Sequence, residues 1–91
     1  RLSRLTELCL RGCKNLSEIP DALEGLVSLQ KLDVSLTGID RLPGWIGRLS
    51  GLTVLNLRGC KNLSEIPDTL EGLVSLQTLY VSYSGVSRLP G

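Results

Sequence analysis

The chain has 91 residues, ten of them basic and nine acidic, and a formal charge of +1 with both signs interspersed. That length holds one small domain, and the charge balance implies neither a nucleic-acid nor an anionic-membrane partner. The chain has no histidine, which excludes Ser–His and Cys–His nucleophilic pairs, and no apolar run approaches the ~20 residues that cross a bilayer.

Residues 1–4 (RLSR) read as the tail of a preceding segment. From Leu5 the chain runs LTELCL, whose alternation predicts a short strand with one buried face. Cys13, Leu16 and Ile19-Pro20 follow, then Leu23 and Leu26 at helical spacing. Pro20 suits a first helical turn, Asp21 and Glu24 favour its positive end, and Gly25 limits it to one or two turns. A second segment opens at Leu29 with LQKLDV, carries Thr37 and Ile39 in place of the Cys and Leu, and ends with Ile46 and Leu49. The third opens at Leu52 and repeats the first: Cys60, Leu63, Pro67, Asp68, Leu70, Glu71, Gly72, Leu73. The fourth opens at Leu76, carries Ser84 and Val86, and is truncated at residue 91. The domain 1–91 thus divides into 5–28, 29–51, 52–75 and 76–91, segments of 24, 23, 24 and 16 residues.

A shift of 47 residues aligns 1–44 with 48–91, and 34 of the 44 pairs are identical, including LRGCKNLSEIPD at 10–21 and 57–68. Packing accounts for sameness at the Leu, Cys, Ile and Pro positions, but nothing physical requires it at the Arg, Lys, Asn, Ser and Glu positions. Their identity reports recent copying or design.

The grammar L-x-x-L-x-L-x-x-[N/C]-x-x-L, met at Leu5, Leu8, Leu10, Cys13, Leu16 and again at Leu52, Leu55, Leu57, Cys60, Leu63, resembles the leucine-rich repeat family over essentially the whole chain. The resemblance implies an α/β repeat solenoid: an arc with a short parallel concave sheet and short helix or 3₁₀ segments on the convex side. LRGCKNLSEIP, LEGLVSLQ and TGIDRLP look most like the repeats of plant intracellular immune receptors of the nucleotide-binding type. That likeness implies a cytoplasmic, non-catalytic protein-recognition module. No G-x-x-x-x-G-K-[ST] phosphate loop is present, so nucleotide-driven switching does not reside in these residues.

Cys13, Thr37, Cys60 and Ser84 form a column that takes the place of the family's asparagine ladder, where a small donor under the turn satisfies buried carbonyls. Three cysteines without close, even spacing are expected to be reduced thiols. Cys13 and Cys60 lie two layers apart, about 10 Å at the strand spacing, beyond the roughly 7 Å that a disulfide spans. Zinc would need about four ligands, and no cofactor or metal is expected. Two Asn-Leu-Ser sequons, at Asn15 and Asn62, fall inside the copied stretch and count as one occurrence. Trp45 is expected as a partly buried filler on the convex side.

Counting from each opening Leu, positions 3, 5 and 7 point to the concave face. The candidate partner-binding residues are Glu7, Cys9, Arg11, Lys31, Asp33, Val54, Asn56, Arg58, Thr78, Tyr80 and Tyr83, with Ser35, Leu36 and Ser82 alongside. Five of the ten differences between the two copies fall on the ten aligned positions of this face or its edge, against five on the other 34. Selection for binding produces that bias; drift at tolerant exposed sites is the competing explanation. Tyr80, Tyr83 and Arg58 are the expected anchors, since Tyr and Arg are enriched in interface hot spots. The alternative to a recognition module is a structural or designed scaffold that self-assembles through uncapped ends, since neither end carries a recognisable polar cap.

Overall fold

The computed structural model describes residues 5–86. The expected tail at 1–4, the last residues of the truncated fourth repeat and any cap lie outside them.

Each L-x-x-L-x-[LV] opening forms a three-residue strand: β1 (Glu7–Cys9), β2 (Lys31–Asp33), β3 (Val54–Asn56) and β4 (Thr78–Tyr80). They make one parallel sheet in the order β1-β2-β3-β4. The register places Leu8, Leu32, Leu55 and Leu79 side by side at the strand centres. Leu32 and Leu55 are buried, and Leu8 and Leu79, in the outer strands, pack half-buried against the same core.

Hydrogen bonding between layers runs past these short strands. Leu10, Val34 and Leu57 donate to the carbonyls of Asp33, Asn56 and Tyr80, and two residues on Gly12, Leu36 and Gly59 donate to Ser35, Arg58 and Ser82. Each layer therefore holds the next over about seven residues, from the second to the eighth position.

The convex side is three 3₁₀ turns, Asp21–Gly25, Gly44–Arg48 and Asp68–Gly72. Pro20 and Pro67 do not occupy the first helical position as expected. They are N-caps in extended backbone (φ −60°, ψ 137° and φ −71°, ψ 152°), as is Pro43. In that role the proline carbonyl accepts the first turn's bond, from Leu23, Ile46 and Leu70 respectively. Trp45 sits half-buried on this side as expected, and its Nε1 donates to Asp21 one layer back at 3.0 Å.

Successive strands are 24, 23 and 24 residues apart, yet stay in register. The extra residue of the longer layers is absorbed after the strand, where Cys-Lys-Asn-Leu faces Thr-Gly-Ile. Gly38 makes this possible. A Cβ there would come within 2.8 Å of the Lys14 carbonyl and 3.1 Å of the Leu16 carbonyl. Gly85 lies equally close to the Lys61 and Leu63 carbonyls of its own longer neighbour.

Gly38→Ala is expected to destabilise the fold by about 1–3 kcal/mol, as overpacking against fixed backbone does. Gly44→Ala, where a Cβ meets nothing within 4 Å, should change stability by less than about 0.5 kcal/mol. Urea denaturation of the two variants checks this, and coincident midpoints would contradict the close approach.

Candidate functional site

The parallel register turns the outward strand positions into rows. One row runs Glu7, Lys31, Val54, Thr78 and the next Cys9, Asp33, Asn56, Tyr80. Beyond the strand ends a third row follows, Arg11, Ser35, Arg58, Ser82, edged by Leu36 and Tyr83. All eleven residues named from the sequence therefore lie on this face or its edge. Glu7, Cys9, Lys31, Asp33, Val54 and Asn56 line one shallow depression of about 300 Å³ across β1–β3.

The rows are not equally free to meet a partner. Asp33 Oδ1 accepts the backbone N–H of Ser35 at 2.9 Å and its hydroxyl as well. Asn56 Oδ1 likewise accepts the backbone N–H of Arg58 at 3.0 Å. Both side chains hold the turn that closes their strand, an arrangement short Asx side chains favour. Ser35 is consequently 2% exposed, so the expected outward position is buried. Cys9 and Tyr80, at the same position in the first and fourth layers, make no such bond and are exposed, Tyr80 by 49%.

The edge next to the third row has unusual backbone. Gly12 and Gly59 have φ of 81° and 76°, and Leu36 and Tyr83, at the same position in the other layers, have φ of 57° and 59°. Every described layer therefore passes through a left-handed residue here, which glycine tolerates and bulky side chains rarely adopt. Leu36 lays its side chain over the next layer: a Cβ on Gly59 would meet Leu36 Cδ2 at 2.5 Å. Tyr83 reaches back instead, with the Arg58 guanidinium 5.2 Å from its ring centre, a cation–π arrangement.

Under the same turn, the column that replaces an asparagine ladder bonds to the backbone carbonyls of Val34 and Val81. Thr37 Oγ1 donates to the Val34 carbonyl at 2.7 Å, Cys60 Sγ reaches the same oxygen from the next layer at 3.1 Å, and Ser84 Oγ donates to Val81. Cys13 departs from the expectation of a buried thiol and is exposed. The geometry at Cys60 gives the reason: its sulfur is covered by, and bonds to, the layer before it, and no described layer precedes Cys13. Cys9 is exposed as expected, Cys60 is buried, and all three thiols are free.

Sequence reasoning missed Lys14 and Lys61, which join Arg11 and Arg58 on this edge. Their signal was available, a Lys after each Cys in both long segments. Its meaning depended on the left-handed turn that folds that position back beside the third row. Four cations spaced along an apparently mixed sequence thereby become one basic edge.

One strand per layer on the inside, one 3₁₀ turn on the outside and a continuous exposed inner face define a repeat solenoid of the kind that works by presenting a surface. Among the described residues no group of three or more His, Cys, Asp or Glu side chains could hold a metal. Residues 21–84 match the family model described as R13L1/DRL21 LRRs, and residues 4–26 match that of the Leucine Rich Repeat. With more than half of its length matched, the chain belongs to the leucine-rich repeat family, with repeats of the R13L1/DRL21 type found in plant resistance proteins. Among solved structures, the leucine-rich repeat domain of the type III effector XCV3220 (XopL) is similar, with 31% identity and a TM-score of 0.85. That similarity covers 98% of this chain and 32% of the other, so the present chain spans about a third of it. No curated protein matches. The family is generally non-catalytic and typically serves protein interaction.

In the native protein a thiol reagent is expected to modify Cys9 rapidly and Cys60 only on unfolding. Thiol-labelling kinetics with and without urea reads this directly; equally fast Cys9 and Cys60 would contradict the buried Cys60 contact.

Proposed function

We propose that the chain is a non-catalytic recognition module that binds a protein partner on its concave face, in the manner of the repeats of plant cytoplasmic immune receptors. One observation carries this reading. The two 47-residue copies diverge mainly where the sheet faces out, at Glu7/Val54, Cys9/Asn56, Lys31/Thr78, Asp33/Tyr80 and Leu36/Tyr83, while their core and convex residues stay almost unchanged. A scaffold kept constant under a varied surface is the pattern that binding selects. Tyr80 is the favoured anchor, since it is exposed, aromatic and bonded to nothing in its own turn. A cytoplasmic location agrees with the resistance-protein type of the repeats and with the free thiols. No helix among the described residues is long and apolar enough to cross a membrane.

Tyr80→Ala should leave the denaturation midpoint within about 0.5 kcal/mol of wild type, as exposed substitutions do, and weaken capture of plant-extract proteins severalfold. Val74→Asp, on the opposite side, should leave capture unchanged. Equal losses in both variants would overturn a concave binding site.

A further inference from the structure

We propose that the left-handed edge of the concave sheet is a docking groove for an acidic protein segment that carries carboxylates on either side of an apolar side chain. The proposal rests on the recognition reading above and names the chemistry of the partner.

Two depressions of about 460 and 510 Å³ lie along this edge and share Leu36, Gly59 and Lys61. The first also holds Arg11, Arg58 and Tyr83, and the second Lys14. Neither is lined by an Asp or Glu. The ion pairs among the described residues are Arg41–Asp40 and Arg48–Glu24, so all four cations of the groove are uncompensated. The nearest carboxylate in the third row's own turn, Asp33, is already committed to Ser35. Acidic side chains gather elsewhere: Asp21, Glu24, Asp68 and Glu71 all sit in the convex 3₁₀ turns. A chain of nearly zero net charge thus presents a basic edge on one side, and an acidic partner is its electrostatic complement.

The apolar component comes from Leu36 and Tyr83, exposed by 44% and 73%. Both keep a backbone conformation that L side chains rarely adopt, at a position where the alternate layers use glycine. Glycine at Leu36 and Tyr83 would relieve that strain, and strained backbone of this kind clusters at sites of function. What the two residues contribute instead is an apolar side chain between cations. Arg11 and Arg58 stand two layers apart, about 10 Å, and Leu36 comes from the layer between them. An extended segment rises about 3.3 Å per residue and alternates its side chains between two faces, so carboxylates four residues apart, with an apolar residue midway between them, present both charges and the apolar side chain to the groove together. A nucleic acid fits less well. Binding of single strands relies on several free aromatic faces, and here the one aromatic ring in the groove already faces Arg58.

The test is fluorescence anisotropy with a short labelled peptide repeating Glu-Ser-Leu-Ser (the Glu/Leu peptide), which sets Glu and Leu alternately on one face when extended, the same peptide with Gln for Glu, and a single-stranded oligodeoxynucleotide of equal charge. The Glu/Leu peptide should bind, weaken with added salt, and lose at least tenfold in affinity to the Arg11→Gln, Arg58→Gln double variant. Arg48→Gln, which removes a convex cation, should leave its affinity unchanged. Tyr83→Gly should raise the melting temperature while weakening the peptide at least threefold; unchanged affinity would remove the apolar half of the proposal. Binding of the Gln peptide or of the oligonucleotide as tightly as the Glu/Leu peptide would overturn it. So would no binding of the Glu/Leu peptide while Tyr80→Ala still weakens partner capture, a result that leaves the broader concave reading standing.

Discussion

The structure depends on one constraint: the strand centres Leu8, Leu32, Leu55 and Leu79 must stack in a single column although the layers between them alternate in length. Slipping one layer by a residue would turn its buried leucine to solvent and its polar residues to the core. The extra residue is therefore confined to the stretch after the strand, where it meets the least resistance. Gly38 and Gly85 accept the bulkier neighbouring layer there, and the left-handed residue at Gly12, Leu36, Gly59 and Tyr83 turns the chain out of the sheet.

That turn has a consequence for polar satisfaction. Once the backbone leaves the sheet, the last inward carbonyl of the layer, as at Val34, has no strand partner, and a buried carbonyl without a donor is costly. Thr37, Cys60 and Ser84 supply the donor, each in the way its length allows. The hydroxyls serve their own layer and the longer-bonding sulfur serves the one before. Among the described residues no buried side-chain nitrogen or oxygen is left unpaired. The small residues of this column are thus tied to the same length alternation that set the turn.

Function is layered on the residues that these requirements leave free. Of the outward residues, Asp33, Asn56 and Ser35 are spent on closing turns, whereas Cys9, Tyr80, Arg11, Arg58 and Tyr83 have no such duty. Divergence between the two copies is concentrated on this outward face, where a side chain can change without disturbing the leucine column. The duplicated stretch LRGCKNLSEIPD is almost wholly scaffold, but its Arg and Lys are its exception, since the left-handed glycine carries both onto the edge of the concave face.

The repeat, its four layers, their parallel strands and the outward positions were legible in the sequence. Alternation in a strand and the spacing of apolar residues in a repeat are local, one-dimensional signals, and stacking identical layers converts them directly into a column. The tertiary structure alone decided the rest. It moved the prolines from the first helical turn to the N-cap, because their backbone stays extended up to the turn. It buried Cys60, whose sulfur bonds to the Val34 carbonyl of the layer before it. It also gathered Arg11, Lys14, Arg58 and Lys61 into one basic edge that net charge and linear spacing conceal. In each case the deciding contact lies between layers, some two dozen residues apart, where the local pattern of a single repeat carries no information.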